Sequence, residues 1–348
     1  MLLTCLTVAL VVSLIAGTAL GGARIPLADT LRYLAAALAG GYIDPADVSA
    51  YRIVWEIRAP RTLLAALVGA GLSACGVVIQ SLVRNVLADP FMLGVSAGAS
   101  VGAVSTTIIL AGFSSLSVAA LVATWSASLV ILGAFIGALL SCLLVWLAAR
   151  GVAGAVSPVR LVLTGVVVAA GLEAAMSVLI HLVPGTEATS TILFWTMGSF
   201  GAAAWGLLPP VAIISLICLL IFLRRASVLD VLSQGDETAV GLGVNPTVAR
   251  RRLFIVVSLA AAAATATCGA IGFTGLVVPH VVRMVVGATH RRVLRIAPLV
   301  GGIFMVWVDI LARSVVPPRE LPLSAITALL GVPVFVWLLR SRGQVLGA

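Results

Sequence analysis

Apolar runs near twenty residues long, parted by short polar breaks, recur along the chain from end to end. A helix needs about 20 apolar residues to cross a hydrocarbon core. Ten runs approach or exceed that length: 2–22, 62–82, 91–112, 116–149, 161–183, 207–223, 253–271, 276–286, 296–312 and 325–339. The pattern predicts an all-α polytopic membrane protein of about ten transmembrane helices, a single transmembrane domain over residues 1–348. The fourth run is too long for one untilted helix, so its first part is expected as a loop or short surface helix. The eighth is too short to span unless its neighbours enclose it in protein. Two polar-rich segments interrupt the pattern. In 24–61, Leu27, Leu31, Leu34 and Leu38 recur at helical spacing and predict an amphipathic helix at the surface. The second, 224–252, is the longest polar loop on the opposite side.

Composition agrees with the pattern. The chain is 61% hydrophobic and 9% charged, against about 25% charged in soluble domains. All 21 basic residues are arginine. Without lysine the chain cannot hold ATP in a P-loop of its own or form a lysine Schiff base. The net charge of +9 reads as arginine retaining loops on the cytoplasmic side, not as a nucleic-acid surface. Seven arginines, Arg24, Arg32, Arg52, Arg58, Arg61, Arg313 and Arg319, fall outside if the N-terminus is inside. The other fourteen fall inside, which places both termini in the cytoplasm. The first run alone, with Arg24 after it and no positive charge before it, favours the reverse. That missing basic segment also argues against a cleaved signal peptide. The five cysteines lie far apart in apolar runs, with no metal or redox spacing, and are expected to be small buried apolar residues.

Several polar groupings stand out against this background. Arg58, Arg61 and Arg313 lie at outer helix ends, where a guanidinium can grip a partner's carboxylate or simply snorkel to the interface. In the inner loop, Gly235 is a turn point. Asp236 and Glu237 suit the first turn of a short helix, Ala239, Val240 and Leu242 offer small apolar contacts, and Gly241 and Gly243 end it. Such a helix can lie in a partner's groove; an ordinary solvated loop is the alternative. The turn 269–280 is glycine-rich and suits close helix approach or a broken helix. Glu173 and Asp309 are the acids inside spans. Glu173 lies two turns from His181 on about the same face, which would suit a proton-coupled carrier, whereas Asp309 could instead pair with Arg313 four residues on. A loose internal similarity relates Arg61, Gly76, Gln80, Asn85 and Pro90 to Arg252, Gly269, Gly275 and Pro279-His280, in the manner of inverted repeats.

Taken together, Arg58-x-Pro-Arg61, Gln80, Arg84-Asn85-x-Leu87-Ala88-Asp89-Pro90, Gly94-Val95-Ser96-x-Gly98-Ala99, Gly272-Phe273-x-Gly275-Leu276-Val277-x-Pro279-His280-x-x-Arg283, His290-Arg291, Asp309-x-x-Ala312-Arg313, Glu320-Leu321-Pro322 and Gly331-x-Pro333-x-Phe335 closely resemble the FecCD family. These are permease subunits of ABC importers for ferric siderophores, haem and cobalamin. The resemblance implies the type II importer fold with ten helices per subunit and no catalytic residue. It implies a second permease subunit, identical or paralogous, two ATPase subunits that bind ATP and Mg, and an extracytoplasmic binding protein, all at a bacterial cytoplasmic membrane. By the same resemblance Arg58, Arg61 and Arg313 match positions that grip the binding protein. Gln234, Gly235, Asp236, Glu237, Ala239, Gly241 and Gly243 match the coupling helices on the ATPase, and Asn85 and Leu87 the inner gate. Val86 stands where the family usually has Pro. Pro158 and Val159 stand at gate positions where a cobalamin permease has small polar residues, which counts against cobalamin and against that half of the gate; a ferric siderophore is the expected cargo because the family handles those most often, with haem and cobalamin as alternatives. No metal or cofactor is expected on this chain itself.

Overall fold

The computed structural model describes residues 1–113, 119–151, 156–182 and 196–342. The start of the fourth run, at 116–118, and Val183 at the end of the fifth lie outside the described residues. Among the described residues the regular secondary structure is helical, apart from one isolated bridge between Arg150 and Val156. In order the helices are α1 (Leu2–Ala19), α2 (Leu27–Ala39), α3 (Val48–Arg52), α4 (Ala59–Val83), α5 (Val95–Phe113), α6 (Ala119–Ala149), α7 (Pro158–Leu182), α8 (Leu208–Arg224), α9 (Ala226–Ser233), α10 (Asp236–Gly241), α11 (Pro246–Cys268), α12 (Thr274–Val286), α13 (His290–Ser314) and α14 (Leu323–Arg342). Eight of the described helices are long and apolar enough to cross a membrane, and α12 and α14 supply two shorter apolar helices. The ten runs are therefore all helices.

The short eighth run is resolved by its surroundings. At 1.5 Å per residue the 13-residue α12 is about 20 Å long, short of the roughly 30 Å hydrocarbon thickness. The chain reaches it through irregular backbone, with Gly269 and Phe273 at positive φ. Backbone of that kind is tolerated at membrane depth only inside protein, and Ile271, Val277 and Val278 are buried.

The start of the second span differs from expectation. The apolar run begins at 62, which would leave Arg58 and Arg61 ahead of the helix, and Pro60 lacks the N–H and carries a ring that clashes with the carbonyl four residues back. Yet helix runs from α3 through a π-helical turn at Ile53–Arg58 directly into α4. The widened turn before Pro60 relieves that clash. Arg58 and Arg61 consequently lie within a continuous helix and do not precede it. The amphipathic α2 forms as its spacing predicts, with Leu27, Leu31 and Leu38 exposed along it and Tyr33 buried.

The core forms around α4, nearly all of which is buried. It packs along α13 at a distance only glycine permits: a methyl group at Gly69 would lie 2.2 Å from the Gly301 carbonyl oxygen. Further along, a methyl at Gly76 would lie 1.8 Å from the Gly275 carbonyl oxygen. The two halves of the internal similarity are thus in direct contact at Gly76 and Gly275. Four cysteines are buried as expected, but Cys5 is exposed on α1; α1 is buried mainly at its C-terminal end.

Candidate functional site

Two polar clusters sit at opposite ends of the α4–α13 pair. The first gathers the C-terminus of α1, the start of α4, the end of α13 and the segment before α14. Arg61 donates from Nε to Asp309 Oδ1 at 2.8 Å. Its Nη1 and Nη2 fork onto the two carboxylate oxygens of Glu320 at 2.5 and 3.0 Å, the paired geometry that makes arginine–carboxylate bonds strong. Arg313 Nε lies 3.3 Å from Asp309 Oδ2, the i,i+4 pair read from the sequence, and its Nη2 donates to the Gly17 carbonyl. Arg58 donates to the carbonyls of Thr18 (3.3 Å), Ala19 (2.7 Å) and Ala23 (2.5 Å). The last carbonyls of a helix have no partner within it and carry partial negative charge; Arg58 and Arg313 satisfy those of α1.

The expectation of exposed arginines is therefore corrected. Arg58, Arg61 and Arg313 are buried, at 4%, 5% and 8% exposure. The cause is the carboxylate of Asp309, 1% exposed, and the end of α1, which pull the guanidiniums into the protein. Glu320, whose side chain is 42% exposed, is the part of this cluster that faces outward. Burial pushes its carboxyl up, but the hydrogen bonds and charge of Arg61 outweigh this and hold it below the usual range.

The second cluster joins the polar loop to the far end of α4. Arg250 Nη1 and Nη2 fork onto Asp236 at 2.8 and 2.5 Å, and Arg84 Nη2 lies 3.7 Å from the same carboxylate. The Arg250 hydrogen bond holds the Asp236 carboxyl below its usual range against the opposing effect of burial, with the charges of Arg250 and Arg84 adding. Nearby, His290 Nδ1 meets Asp230 Oδ1 at 2.6 Å, and the His290 backbone N–H donates to the same oxygen at 3.0 Å. Nε2 then accepts the hydroxyl of Ser81. This chain of side chains ties α9, α13 and α4 together. Arg283 donates to the Gln80 side-chain oxygen and to the Val77 carbonyl (3.3 Å), while Gln80 Nε2 donates to the carbonyls of Gly275 and Leu276, both at 3.3 Å.

The loop residues named from the sequence divide into two groups. Gly235 takes φ +121° before α10, and Asp236 and Glu237 open its first turn. α10 ends at Gly241, and Gly243 takes φ +78°. The Gly243 and Val244 N–H groups return to the Val240 and Ala239 carbonyls at 2.9 and 2.8 Å, a Schellman cap. Val240 and Leu242 are exposed, as are Gln234, Glu237 and Gly241. Ala239 is not: it is fully buried in the chain's own core, because α10 folds back on α9 and α11, so it offers nothing to a partner.

Of the gate residues, Asn85 is exposed and accepts the Leu87 N–H at 2.9 Å. Leu87 lines a cavity of about 340 Å³ with Asp89, Met92, Ser96 and Phe273, between the 87–92 turn and the glycine-rich turn. Pro158 is buried and begins α7, and Val159 is exposed; neither lines that cavity. The acids and histidine of the carrier reading are not assembled in one place. Asp309 is engaged by two arginines, while Glu173 and His181 are exposed on α7, where the His181 ring bonds the Ser177 carbonyl at 3.0 Å.

Glu320, Arg250, Ser81 and Asp230 received no role in the sequence reading. Glu320 carried the one available signal, since it stood within a quoted motif. The other three stand apart from their partners in sequence and become visible only once the helices pack.

Residues 8–341 match the FecCD transport family. The chain belongs to this family. It is 40% identical over 293 residues to the hemin transport system permease protein HmuU of Yersinia pestis, covering 84% of each chain. It is 38% identical over 329 residues to the cobalamin import system permease protein BtuC of Halobacterium salinarum, covering 92% of this chain and 81% of that one. A solved inward-facing structure assigned to the metal-chelate type of ABC transporter superposes with a TM-score of 0.79 at 30% identity, over 97% of this chain and 98% of that one. This FecCD chain is thus a multi-pass membrane permease of an ABC importer. In it the 234–243 loop lies at the end of the bundle opposite the Arg61–Asp309 cluster.

Proposed function

We propose that this chain is the non-catalytic permease subunit of an ATP-driven importer that carries an iron chelate, a ferric siderophore foremost, across a bacterial cytoplasmic membrane. The observation that carries the reading is the FecCD match across 8–341 together with a helical bundle bearing a polar cluster at each end. Haem and cobalamin are the alternative cargoes, since relatives of similar identity are named for each. Pro158 and Val159 favour the chelate over cobalamin. Two ATPase subunits holding ATP and Mg would sit against the α9–α10 segment, with Val240 and Leu242 as the apolar contacts. Both termini are cytoplasmic in this reading, and a second permease subunit completes the pathway.

The outer cluster is read as the docking rim in a modified form. A binding protein's carboxylate would reach the Arg61 fork by replacing Glu320, the exposed partner, while Asp309 holds the guanidinium in place. Motion of α9 and α10 would reach the gate turn through Asp236–Arg84 and Asp230–His290–Ser81. Leu87 would move with that turn, and Asn85 would hold its shape.

The test is a gentle detergent pull-down of the tagged chain from native membranes. Recovery of an ATPase near one per permease supports the importer, and the accompanying binding protein can then be titrated with iron chelates, haem and cobalamin. A chain recovered alone that transports on a proton gradient would refute the reading.

A further inference from the structure

Three arginines at the loop end of the bundle belong to neither cluster. Arg224 closes α8, and Arg291 and Arg295 lie in the first two turns of α13. With Leu220, Leu223 and Ser227 they surround a cavity of about 380 Å³ between the two helix ends. All three are exposed. No ion pair among the described residues involves them. The nearest acid in sequence, Asp230, is committed to His290.

The apolar side of the cavity is continuous with an open helix face. Leu216, Leu220 and Arg224 follow one another at intervals of four, one above the next on α8. Leu216 and Leu220 are 58% and 46% exposed, and Ile213 and Ile217 on the same side are 57% and 50%. A strip of apolar surface along a membrane-spanning helix therefore ends under three unpaired guanidiniums. Free phosphate would need the arginines alone; a ligand with a hydrocarbon tail would use the arginines and the strip together. Arginine matches phosphate oxygens through its planar fork, and basic pockets between helix ends at a cytoplasmic surface suit anionic headgroups.

We propose that this cavity binds the phosphate headgroup of an anionic phospholipid whose acyl chains lie along Ile213, Leu216, Ile217 and Leu220. The assignment of that lipid to the inner leaflet rests on the orientation proposed above; the site itself does not.

The experiment uses the full chain, co-purified with its partners, delipidated and exposed to equimolar phosphatidylglycerol and phosphatidylcholine, with retained lipid read by native mass spectrometry. Phosphatidylglycerol is expected to be retained in preference, by roughly fivefold for each arginine that engages it. The variant Arg224→Gln/Arg291→Gln/Arg295→Gln should lose the preference, and Arg251→Gln, an exposed arginine outside the cavity, should keep it. Because the three side chains are exposed, the variant should elute and melt as the wild type; if it does not, the single changes Arg291→Gln and Arg295→Gln each should lower retention stepwise. Equal retention of the two lipids, or a preference unmoved by the variants, would overturn the proposal. So would displacement of the lipid by inorganic phosphate at about the same concentration, which would mark a free-anion site. A variant that keeps its lipid but loses the ATPase would assign the arginines to a protein contact and would overturn it as well.

Discussion

Replacing Asp309 with alanine tests whether the outer cluster is held from within the chain. Among the described residues, Asp309 is the carboxylate that forms ion pairs with both Arg61 and Arg313. After its removal Arg61 keeps Glu320, and Arg313 keeps its hydrogen bond to the Gly17 carbonyl. Both guanidiniums are at most 7% exposed, so water does not easily replace the lost charge. Taking away one member of a buried ion pair costs about 3–5 kcal/mol. Here the lower half of that range applies to folding, because Arg61 retains a forked partner. A loss of about 3 kcal/mol raises the unfolded fraction roughly 150-fold. Unfolding of the detergent-solubilised protein, by heat or by SDS titration, reads it directly. The partner variant Arg313→Ala should be costly alone, and the double variant should fall short of the sum by at least about 1 kcal/mol, since the two sites share one interaction. Asp309→Ala within about 1 kcal/mol of wild type, or strict additivity with Arg313→Ala, would refute the reasoning. The same geometry shows why reversing Arg58 and Arg61 to glutamate is a poor docking test. A carboxylate at 58 would face three carbonyl oxygens, and the loss of docking would follow from loss of fold.

Glu320→Gln is the cleaner probe of docking: it should leave the half-exposed cluster nearly as stable, within about 1 kcal/mol, and strengthen capture of the binding protein by releasing the Arg61 fork; unchanged affinity counts against Arg61 as the docking group. Asp236 has a folded-state carboxyl value below its unfolded one, so its tie to Arg250 is fully present above the unfolded value of about 4 and is lost as pH falls through the lower folded value. Protease cutting in 234–245 should stay flat from pH 7 to about 4 and rise below it, and Asp236→Asn should show the rise already at pH 7. Gly76→Val should abolish folded protein because of the Gly275 carbonyl, whereas Gly241→Val, where no atom lies within 4 Å of an added Cβ, should fold normally and lose only transport per ATP hydrolysed; normal coupling in that variant would remove Gly241 from the ATPase contact.

The ten helices were legible because each is written locally, in hydrophobic length and arginine-marked ends. The amphipathic α2 and the short α10 were legible for the same reason, through leucine spacing and through glycines at positive φ. What was not legible is pairing over distance. Arg61 and Asp309 are 248 positions apart, and no local pattern says that an arginine at an outer helix end will be drawn inward by an acid on another helix. Ala239 was misplaced for a related reason: on a six-residue helix a small apolar residue suits a partner's groove and the chain's own core equally well. The second span was read as starting at 62 because apolar length alone marks the run, and nothing in that measure shows the π-helical turn that carries the helix back through Arg58 and Pro60. At Asp309 the sequence did leave the correct alternative open, because its partner Arg313 is four residues away.

The two clusters and the helices between them form one mechanical unit. α4 carries Arg61 near one end and Gln80, Ser81 and Arg84 at the other, about 35 Å apart at 1.5 Å per residue. α13 runs antiparallel beside it, with His290 at the loop end and Asp309 and Arg313 at the outer end. Side-chain bonds clamp the pair at both ends, Arg61–Asp309 at one and Ser81–His290 at the other. Between them the backbones touch at Gly69 and Gly301, with Ser73 and Met305 packed against the contact. Close-packed interfaces of this kind shift as bodies and do not deform continuously. A displacement of α9 and α10, tied to this pair through Asp230 and Asp236, would therefore tilt or carry α4 and α13 together and reach the Arg61–Glu320 fork at the far end. The turn 85–94, with its cavity against Phe273, follows α4 at the loop end. Its Asx bonds at Asn85 and Asp89 shape it, and it is anchored by the buried Ala88 and Leu93 and by Ser141, whose hydroxyl donates to the Gly94 carbonyl at 2.8 Å. In the proposed importer, physical coupling between the two ends would follow from the packing of this single helix pair.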